Sequence, residues 1–422
     1  MRNAVLNTVL FFIYVITVLL YWTNIIPELK ENIAMYAVSS VILGIMDAVY
    51  YYQAAVAKKF KRNDYIILAV FTILLAGHTY YSETTSLQAL NLLAVFYLYM
   101  VYPKIAINTK WVYRGIFSGF VLMSLLFIPS IRESIENGSD EFSGFLGIFD
   151  SANSIGTLGT IALLCYLLYQ EKREIFLLQR LISVFFILVV VFASHQRAAL
   201  LMLFIWFIVY HLLRMGMSRT LVFTLFSLGL VLVGTYIVQS ELLGTQDVFE
   251  GYELFGKEAT TRGRSEQINA ALSTFDITAW GEGRGVVNNS VIEDTRYAVH
   301  NTFVVSLLEY GYLFFFLYIA FWYWVFRKGK YLAASFILAY HVILFVEPEN
   351  FFSNHLLTIL AFSAVLFSEN DKVREDAEEP EDDEEEQEEE GEGEIDGEGE
   401  VHNNEDDKEP LPNQDQWTGY IS

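Results

Sequence analysis

Twelve apolar runs dominate the chain, and each is about as long as a helix that crosses a membrane. A helix needs roughly 20 apolar residues to span the hydrocarbon core, and only helices and closed barrels satisfy their backbone polar groups there. The runs cover residues 5–23, 33–57, 65–81, 86–102, 111–129, 152–169, 175–193, 198–213, 219–239, 302–326, 330–346 and 351–368. We therefore predict an all-α, polytopic membrane protein with about 12 transmembrane helices.

The distribution of Lys and Arg orients these predicted helices. If the N-terminus is cytoplasmic, the loops on its side carry 16 basic residues, whereas the short loops on the other side carry only Lys30, Arg132 and Arg197. Basic residues are enriched in cytoplasmic loops. Both termini are therefore predicted to be cytoplasmic, with the loop 130–151 and one large loop, 240–301, on the outer face.

Reporter fusions at Val248 and Asn403 test this topology. We expect alkaline phosphatase, which is active only outside the cytoplasm, to be active at Val248 and inactive at Asn403, because the charge alternation puts an odd number of spans between them. Equal activity at both positions would contradict the topology.

The formal charge of −23 belongs almost entirely to a C-terminal tail. Residues 369–422 hold 25 of the 50 acidic residues and only three basic ones, so the rest of the chain is nearly neutral. This Glu-, Asp- and Gly-rich segment has little apolar surface to offset the entropy of ordering. It predicts a disordered cytoplasmic tail after a transmembrane domain of residues 1–368, although Trp417, Tyr420 and Ile421 leave a docking motif open.

Arginines on the predicted outer face are candidates for binding an anion. Arg197 lies in a short polar turn between two apolar runs, and Arg262 and Arg264 lie in the large loop. A guanidinium group offers a planar fork of donors that matches phosphate oxygens. The alternatives are an interfacial arginine at position 197 and solvated loop arginines at 262 and 264.

His300 stands at the foot of the apolar run 302–326. A neutral imidazole accepts a proton from a hydroxyl near pH 7. The following residues, Asn301 and Thr302, can each cap the helix. The residue is therefore a candidate general base, with a simple interfacial histidine as the alternative.

Other patterns indicate what is absent from the sequence. The glycines of Trp280–Gly285 follow no strand of a βαβ unit, so they predict a tight turn rather than a dinucleotide site. The chain has no HExxH motif, no Cys/His ligand set around its single cysteine, Cys165, and no DxD-type pair in the large loop. We predict no metal, no cofactor and no nucleic-acid partner.

Asp47, His78 and Glu309 are ionisable groups within predicted spans, which makes them functional candidates by default.

Several segments resemble the family of O-antigen ligases and related oligosaccharide-repeat polymerases. They occur in the family's order and on one predicted face of the membrane. The chain departs from the family pattern at Gln196, where a small residue usually precedes the arginine, and in its acidic tail. The segments are FDSAN at 149–153, SHQRAALLMLF at 194–204, GRSEQINAAL at 263–272, WGEGRG at 280–285 and HNTFVVSLLEYG at 300–311.

The resemblance implies a metal-independent, GT-C-like glycosyltransferase of the bacterial cytoplasmic membrane. Its donor would be a glycan on undecaprenyl pyrophosphate, and its acceptor a hydroxyl of a lipid-linked or glycan molecule. Arg197 and Arg264, with Arg262 as a substitute, would hold the pyrophosphate, and His300 would orient or deprotonate the acceptor. Asn153, Asn301 and Glu309 would support them. Ligase and polymerase both remain open.

Two other classes of function compete with this interpretation. A twelve-helix solute transporter or flippase would fit the topology, but such proteins usually bind their substrates near the midplane, on broken helices of repeated halves. We find no internal repeat, and the polar groups cluster at the outer face. A membrane anchor whose tail recruits partners would leave the arginines and His300 unexplained.

Overall fold

The computed structural model describes residues 2–23, 25–29, 32–82, 86–137, 152–171, 177–242, 253–254, 257–258, 262–283, 285–287, 291, 299, 301–346 and 356–378. Its helices are α1 Arg2–Trp22, α2 Ile33–Val56, α3 Arg62–Tyr81, α4 Ser86–Val101, α5 Thr109–Leu126, α6 Ile128–Asn137, α7 Ala152–Gln170, α8 Leu177–Ala193, α9 Arg197–Arg214, α10 Arg219–Leu242, α11 Arg262–Thr274, α12 Thr302–Lys328, α13 Tyr331–Val346 and α14 Leu356–Glu378. Short 3₁₀ helices, Pro27–Leu29 and Tyr102–Lys104, and a two-stranded antiparallel pair, β1 Glu253–Leu254 and β2 Lys257–Glu258, complete these elements.

The predicted fold class, an all-helical membrane protein, is confirmed. Each predicted apolar run coincides with a helix of the described chain. Among the described residues, six helices are long and apolar enough to cross a membrane, namely Asn3–Trp22, Ile33–Val56, Arg62–Tyr81, Arg197–Arg214, Arg219–Tyr236 and Thr302–Lys328. Four shorter apolar helices accompany them. The number of twelve spans stays a prediction.

The structure differs from the predicted connections in three places. The loop predicted from residue 130 begins as α6, which has apolar residues at 128, 131 and 135 along one helical face. The large loop contains α11 and the β1–β2 pair. The last helix continues past the predicted start of the tail to Glu378, and six of its last ten residues are Glu, Lys, Arg or Ala, which have good helix propensity. The tail from 379 onward lies outside the described residues.

Helix faces rich in large apolar side chains are exposed. Ile73 is 68% exposed, Phe204 63% and Phe207 64%. Water would penalise such surfaces, whereas lipid tails solvate them at no cost. The exposed faces therefore fit a bundle surrounded by lipid.

The centre of the bundle contains helices that are apolar on nearly every side. In α13 most side chains from Ala333 to Leu344 are buried, and those of α7 from Ile155 to Leu168 are buried likewise. The indole of Trp206 joins α9 to α13, where its Nε1 donates to Leu332 O at 3.1 Å and Ser335 Oγ at 3.0 Å. These central helices form the frame on which the polar turns described below are held.

Candidate functional site

The turn before α9 has an unusual backbone. His195 adopts φ of 52°, a left-handed conformation that side chains other than glycine enter infrequently. Ser194 Oγ stabilises the turn by donating to Val191 O at 2.6 Å and accepting from Gln196 N at 3.3 Å. The turn places Arg197 as the first residue of α9, where its side chain is half-buried.

The structure shows why a large residue, Gln196, can precede this arginine. Its side chain is buried against α7 and exchanges hydrogen bonds with Thr157 Oγ1 at 3.2 and 3.3 Å. The glutamine side chain occupies the space beside Gly156, where an added Cβ would overlap its amide oxygen. The departure from the family pattern therefore ties the Arg197 turn to α7. Asn153 lies in the first turn of the same helix, one turn before Gly156, and its side chain is outside the described part.

Arg262 and Arg264 lie in the first turn of α11, and their side chains are outside the described residues. The helix contacts α10, and its Ile268 and Ala271 join residues at the start of α12 in a buried cluster separate from the main core. The buried members of this cluster are Ile268, Ala271, Val287, Val291, Val299, Val305 and Leu308. The loop arginines therefore belong to a helix that packs against α10 and shares a buried cluster with the start of α12.

His300 itself lies outside the described residues, but both neighbours are placed. Val299 is fully buried in the cluster with α11. Asn301 is buried and caps α12, its Oδ1 accepting from Val304 N at 3.0 Å. Of the two predicted caps, Asn301 is thus the one used. The position of His300 in the chain falls directly between a packed residue and a helix cap.

The α12 helix is broken at Gly311, which adopts φ of 78° and ψ of 168°. The loop Thr278–Gly283 fills the break and forms backbone hydrogen bonds with both halves. Glu282 N and Gly283 N donate to Leu308 O at 2.9 Å and Glu309 O at 3.0 Å, while Tyr312 N and Leu313 N donate to Thr278 O at 3.0 Å and Ala279 O at 3.4 Å. The glycines predicted to make a tight turn have positive φ, and they also allow this loop to enter the break.

Gly281 and Gly311 make the close approach possible. A Cβ on Gly281 would overlap backbone atoms of Glu309 and Gly311, and one on Gly311 would overlap Ala279 and Trp280. Both glycines also have positive φ, which L side chains adopt at a cost.

Alanine at Gly311 or at Gly281 is expected to destabilise the protein strongly. Backbone strain and overlap each cost about 1–3 kcal/mol, and neither neighbour is a flexible side chain that can move away. The apparent melting temperature in detergent measures the effect. Gly44→Ala is the matched control, because nothing lies within 4 Å of an added Cβ there. Equal melting temperatures for the Gly44 and Gly311 variants would contradict this account of the break.

Helix α9, which opens with Arg197, begins at the same end of the bundle as α12. Arg219, which follows α9 by a short turn, donates to Phe326 O, Arg327 O and Gly329 O at 3.1, 2.5 and 2.9 Å. The end of α9 therefore lies beside the end of α12 and the start of α13, so α9 begins at the opposite end. The ring of Phe303, at the start of α12, lies 6.0 Å from that of Phe345, at the end of α13. Arg197, α11 and the start of α12 consequently share that end.

The ionisable groups within predicted spans occupy different places. Glu309 is fully buried in α12, directly before the break, and its carbonyl accepts from the loop. His78 is fully buried in α3 and contacts Trp280 of the same loop. Asp47 lies in α2, and its Oδ1 is buried without a hydrogen bond among the described residues. Glu309 and His78 therefore belong to the loop junction, whereas Asp47 lies on α2.

His341 is a buried polar residue that the sequence analysis missed. Its ring stacks on Trp322 at 3.5 Å, Nδ1 donates to Ile337 O at 2.7 Å, and Nε2 therefore accepts from the hydroxyl of Tyr318. Both ring nitrogens of a neutral imidazole are satisfied in this way. A histidine inside the apolar run 330–346 was the available signal, and its surroundings indicate a structural role.

Within the described residues, no group of three or more His, Cys, Asp or Glu side chains is placed to hold a metal ion.

Comparison with known families gives one match. Residues 181–319, about a third of the chain, match the family model described as O-antigen ligase. The resemblance is thereby confirmed over α8 to the first part of α12, a range that contains Arg197, Arg264 and His300. No curated protein matches the chain. The match supports membrane glycan transfer of the O-antigen ligase kind and points to a bacterial membrane protein.

Proposed function

We propose that this protein, with its O-antigen ligase family segment, transfers a glycan from undecaprenyl pyrophosphate to an acceptor hydroxyl on the outer face of the cytoplasmic membrane. The observation that carries the proposal is that α9, which opens with Arg197, and α12, which begins just after His300, start at one end of the bundle, with Ile268 and Ala271 of α11 in the buried cluster there. The match to the family model over these elements supports it independently.

The helix starts add to the attraction of the arginines for an anion. The N-terminus of a helix carries partial positive charge, so a cation in the first turn is unfavourable by roughly 0.3–1 kcal/mol unless an anion offsets it. Arg197 opens α9, and Arg262 and Arg264 lie in the first turn of α11. Amides and guanidinium groups together form a site suited to phosphate oxygens.

The proposed chemistry divides between these groups. Arg197 and Arg264, with Arg262 as a substitute, hold the pyrophosphate and stabilise the charge that develops as it leaves the anomeric carbon. His300 accepts the proton of the acceptor hydroxyl while the new glycosidic bond forms. The charge on the leaving group is then offset by the arginines, so the proposal requires no metal ion. Asn301 supports His300 by capping α12.

The acceptor separates two versions of the proposal. A ligase would transfer the glycan to a lipid-linked core sugar, and a polymerase would transfer it to another lipid-linked repeat. The described residues are equally compatible with both.

The transporter or flippase alternative has no support. Broken helices in transporters leave backbone groups free to bind the solute. In α12 the groups at the break are instead bonded to the loop Thr278–Gly283.

The test is transfer by the purified protein in vesicles, using a lipid-linked oligosaccharide as donor and a chelator throughout. We expect transfer to either the core sugar or the repeat, with release of undecaprenyl pyrophosphate. Deletion of the gene is expected to leave lipid-linked glycan in the membrane. Lack of transfer to both acceptors, together with no accumulation after deletion, would overturn the proposal.

A further inference from the structure

The break at Gly311 makes the first part of α12 a short helix in its own right. Residues 302–310 form little more than two turns between the Asn301 cap and the break. One end of this helix adjoins His300, and the other is bonded to the loop Thr278–Gly283. Its orientation therefore depends on where that loop is held.

The loop is held in turn by the end of α3. His78 Nδ1 donates to Trp280 O at 2.5 Å, and its Nε2 faces Ser82 Oγ at 3.4 Å. The Trp280 ring stacks on Tyr81, with centroids 5.5 Å apart and planes 19° apart. The same ring covers Gly77, where a Cβ would overlap it. The His78 ring also packs 5.2 Å from Tyr310, at the last turn before the break.

From these contacts we infer that His78 is a positioning residue for the transfer reaction: through Trp280 it fixes the loop in the break of α12 and so sets the orientation of the short helix beside His300. This inference rests on the proposed function, but the contact itself does not. His78 is fully buried inside the protein, so it acts through the loop and not on the substrate.

The expected effect follows from the geometry that general-base catalysis needs. A base misplaced by about 1 Å costs roughly 100-fold in rate. A group that acts only in the transition state lowers kcat and leaves KM nearly unchanged when it is displaced. Loosening the loop should therefore reduce kcat without weakening donor binding.

A pair of variants isolates the hydrogen bond. His78→Asn keeps a donor near the position of Nδ1, whereas His78→Leu keeps the bulk and leaves Trp280 O without this donor. Thr79→Val is the control on the same helix, because its hydroxyl donates to Leu75 O within α3. Trp280→Leu removes the stacking on Tyr81 and tests the contact from the loop side if His78→Leu does not accumulate.

Hydrogen exchange in detergent provides a readout that does not require activity. We expect the amides of Glu282, Gly283 and Tyr312 to exchange faster in His78→Leu than in the wild type, and at wild-type rates in His78→Asn and Thr79→Val. Unchanged exchange in both His78→Leu and Trp280→Leu would overturn the inference, whatever the transfer assay gives.

Kinetics then test the positioning role. We expect kcat of His78→Leu to fall about 10- to 100-fold, with KM for the lipid-linked donor changed by less than about twofold, and His78→Asn to restore most of kcat. Faster exchange with an unchanged kcat, or a loss seen only in KM, would overturn the positioning role. Absence of transfer by the wild type would instead overturn the proposed function, and the exchange result would still decide the contact.

Discussion

Replacing Arg197 with alanine is expected to lower the rate of glycan transfer by roughly 100- to 1,000-fold, because a donor to the developing anion is lost. Arg197→Lys should restore little of the rate, since an ammonium group cannot replace a bidentate guanidinium fork. An arginine that only marks the interface would tolerate lysine. Transfer in vesicles, at matched amounts of inserted protein, measures the difference.

Arg132→Ala is the matched control for this experiment. Arg132 is an exposed arginine on α6 and is predicted to lie on the same outer side. Arg264→Ala and Arg262→Ala identify which arginine of α11 takes part, and we expect the larger loss at Arg264. Wild-type transfer by Arg197→Ala would remove this residue from the proposed site.

Alanine at His300 is expected to reduce transfer by roughly 100- to 10,000-fold, the range for loss of a general base. The loss should appear in kcat, because the donor is held by the arginines. Protein levels in the membrane should stay similar, since the cap of α12 comes from Asn301 and remains in place.

His211→Ala provides the comparison for His300. His211 is exposed near the end of α9 opposite Arg197, where it packs on Phe207 with ring centroids 4.3 Å apart. A spectator histidine tolerates alanine, so this variant should transfer at the wild-type rate. Comparable rates for the two alanine variants would show that position 300 is not the base.

The sequence was sufficient for those features that depend on local composition. Apolar runs predict helices because every backbone polar group in a bilayer must bond within its own segment. Each predicted run accordingly overlaps an observed helix, whereas α6 and α11 lie in predicted loops. The resemblance to O-antigen ligases was also visible in the sequence, because the arginines, the glycines and His300 stand in the family's order along the chain, and a family model matches residues 181–319. A cap at the start of this helix followed from the polar residues Asn301 and Thr302, and the structure shows that Asn301 supplies it.

Tertiary structure alone decided how these segments meet. The run 302–326 has nothing that marks a break except one glycine, and at the break the hydrogen bonds come from the loop Thr278–Gly283, earlier in the chain. Gln196 departs from the family pattern, and only the tertiary structure shows that its side chain bonds to Thr157 across a helix interface. The contact of His78 with Trp280 joins residues 202 positions apart. Such pairings depend on which surfaces come together in space, so they cannot be predicted from the local sequence.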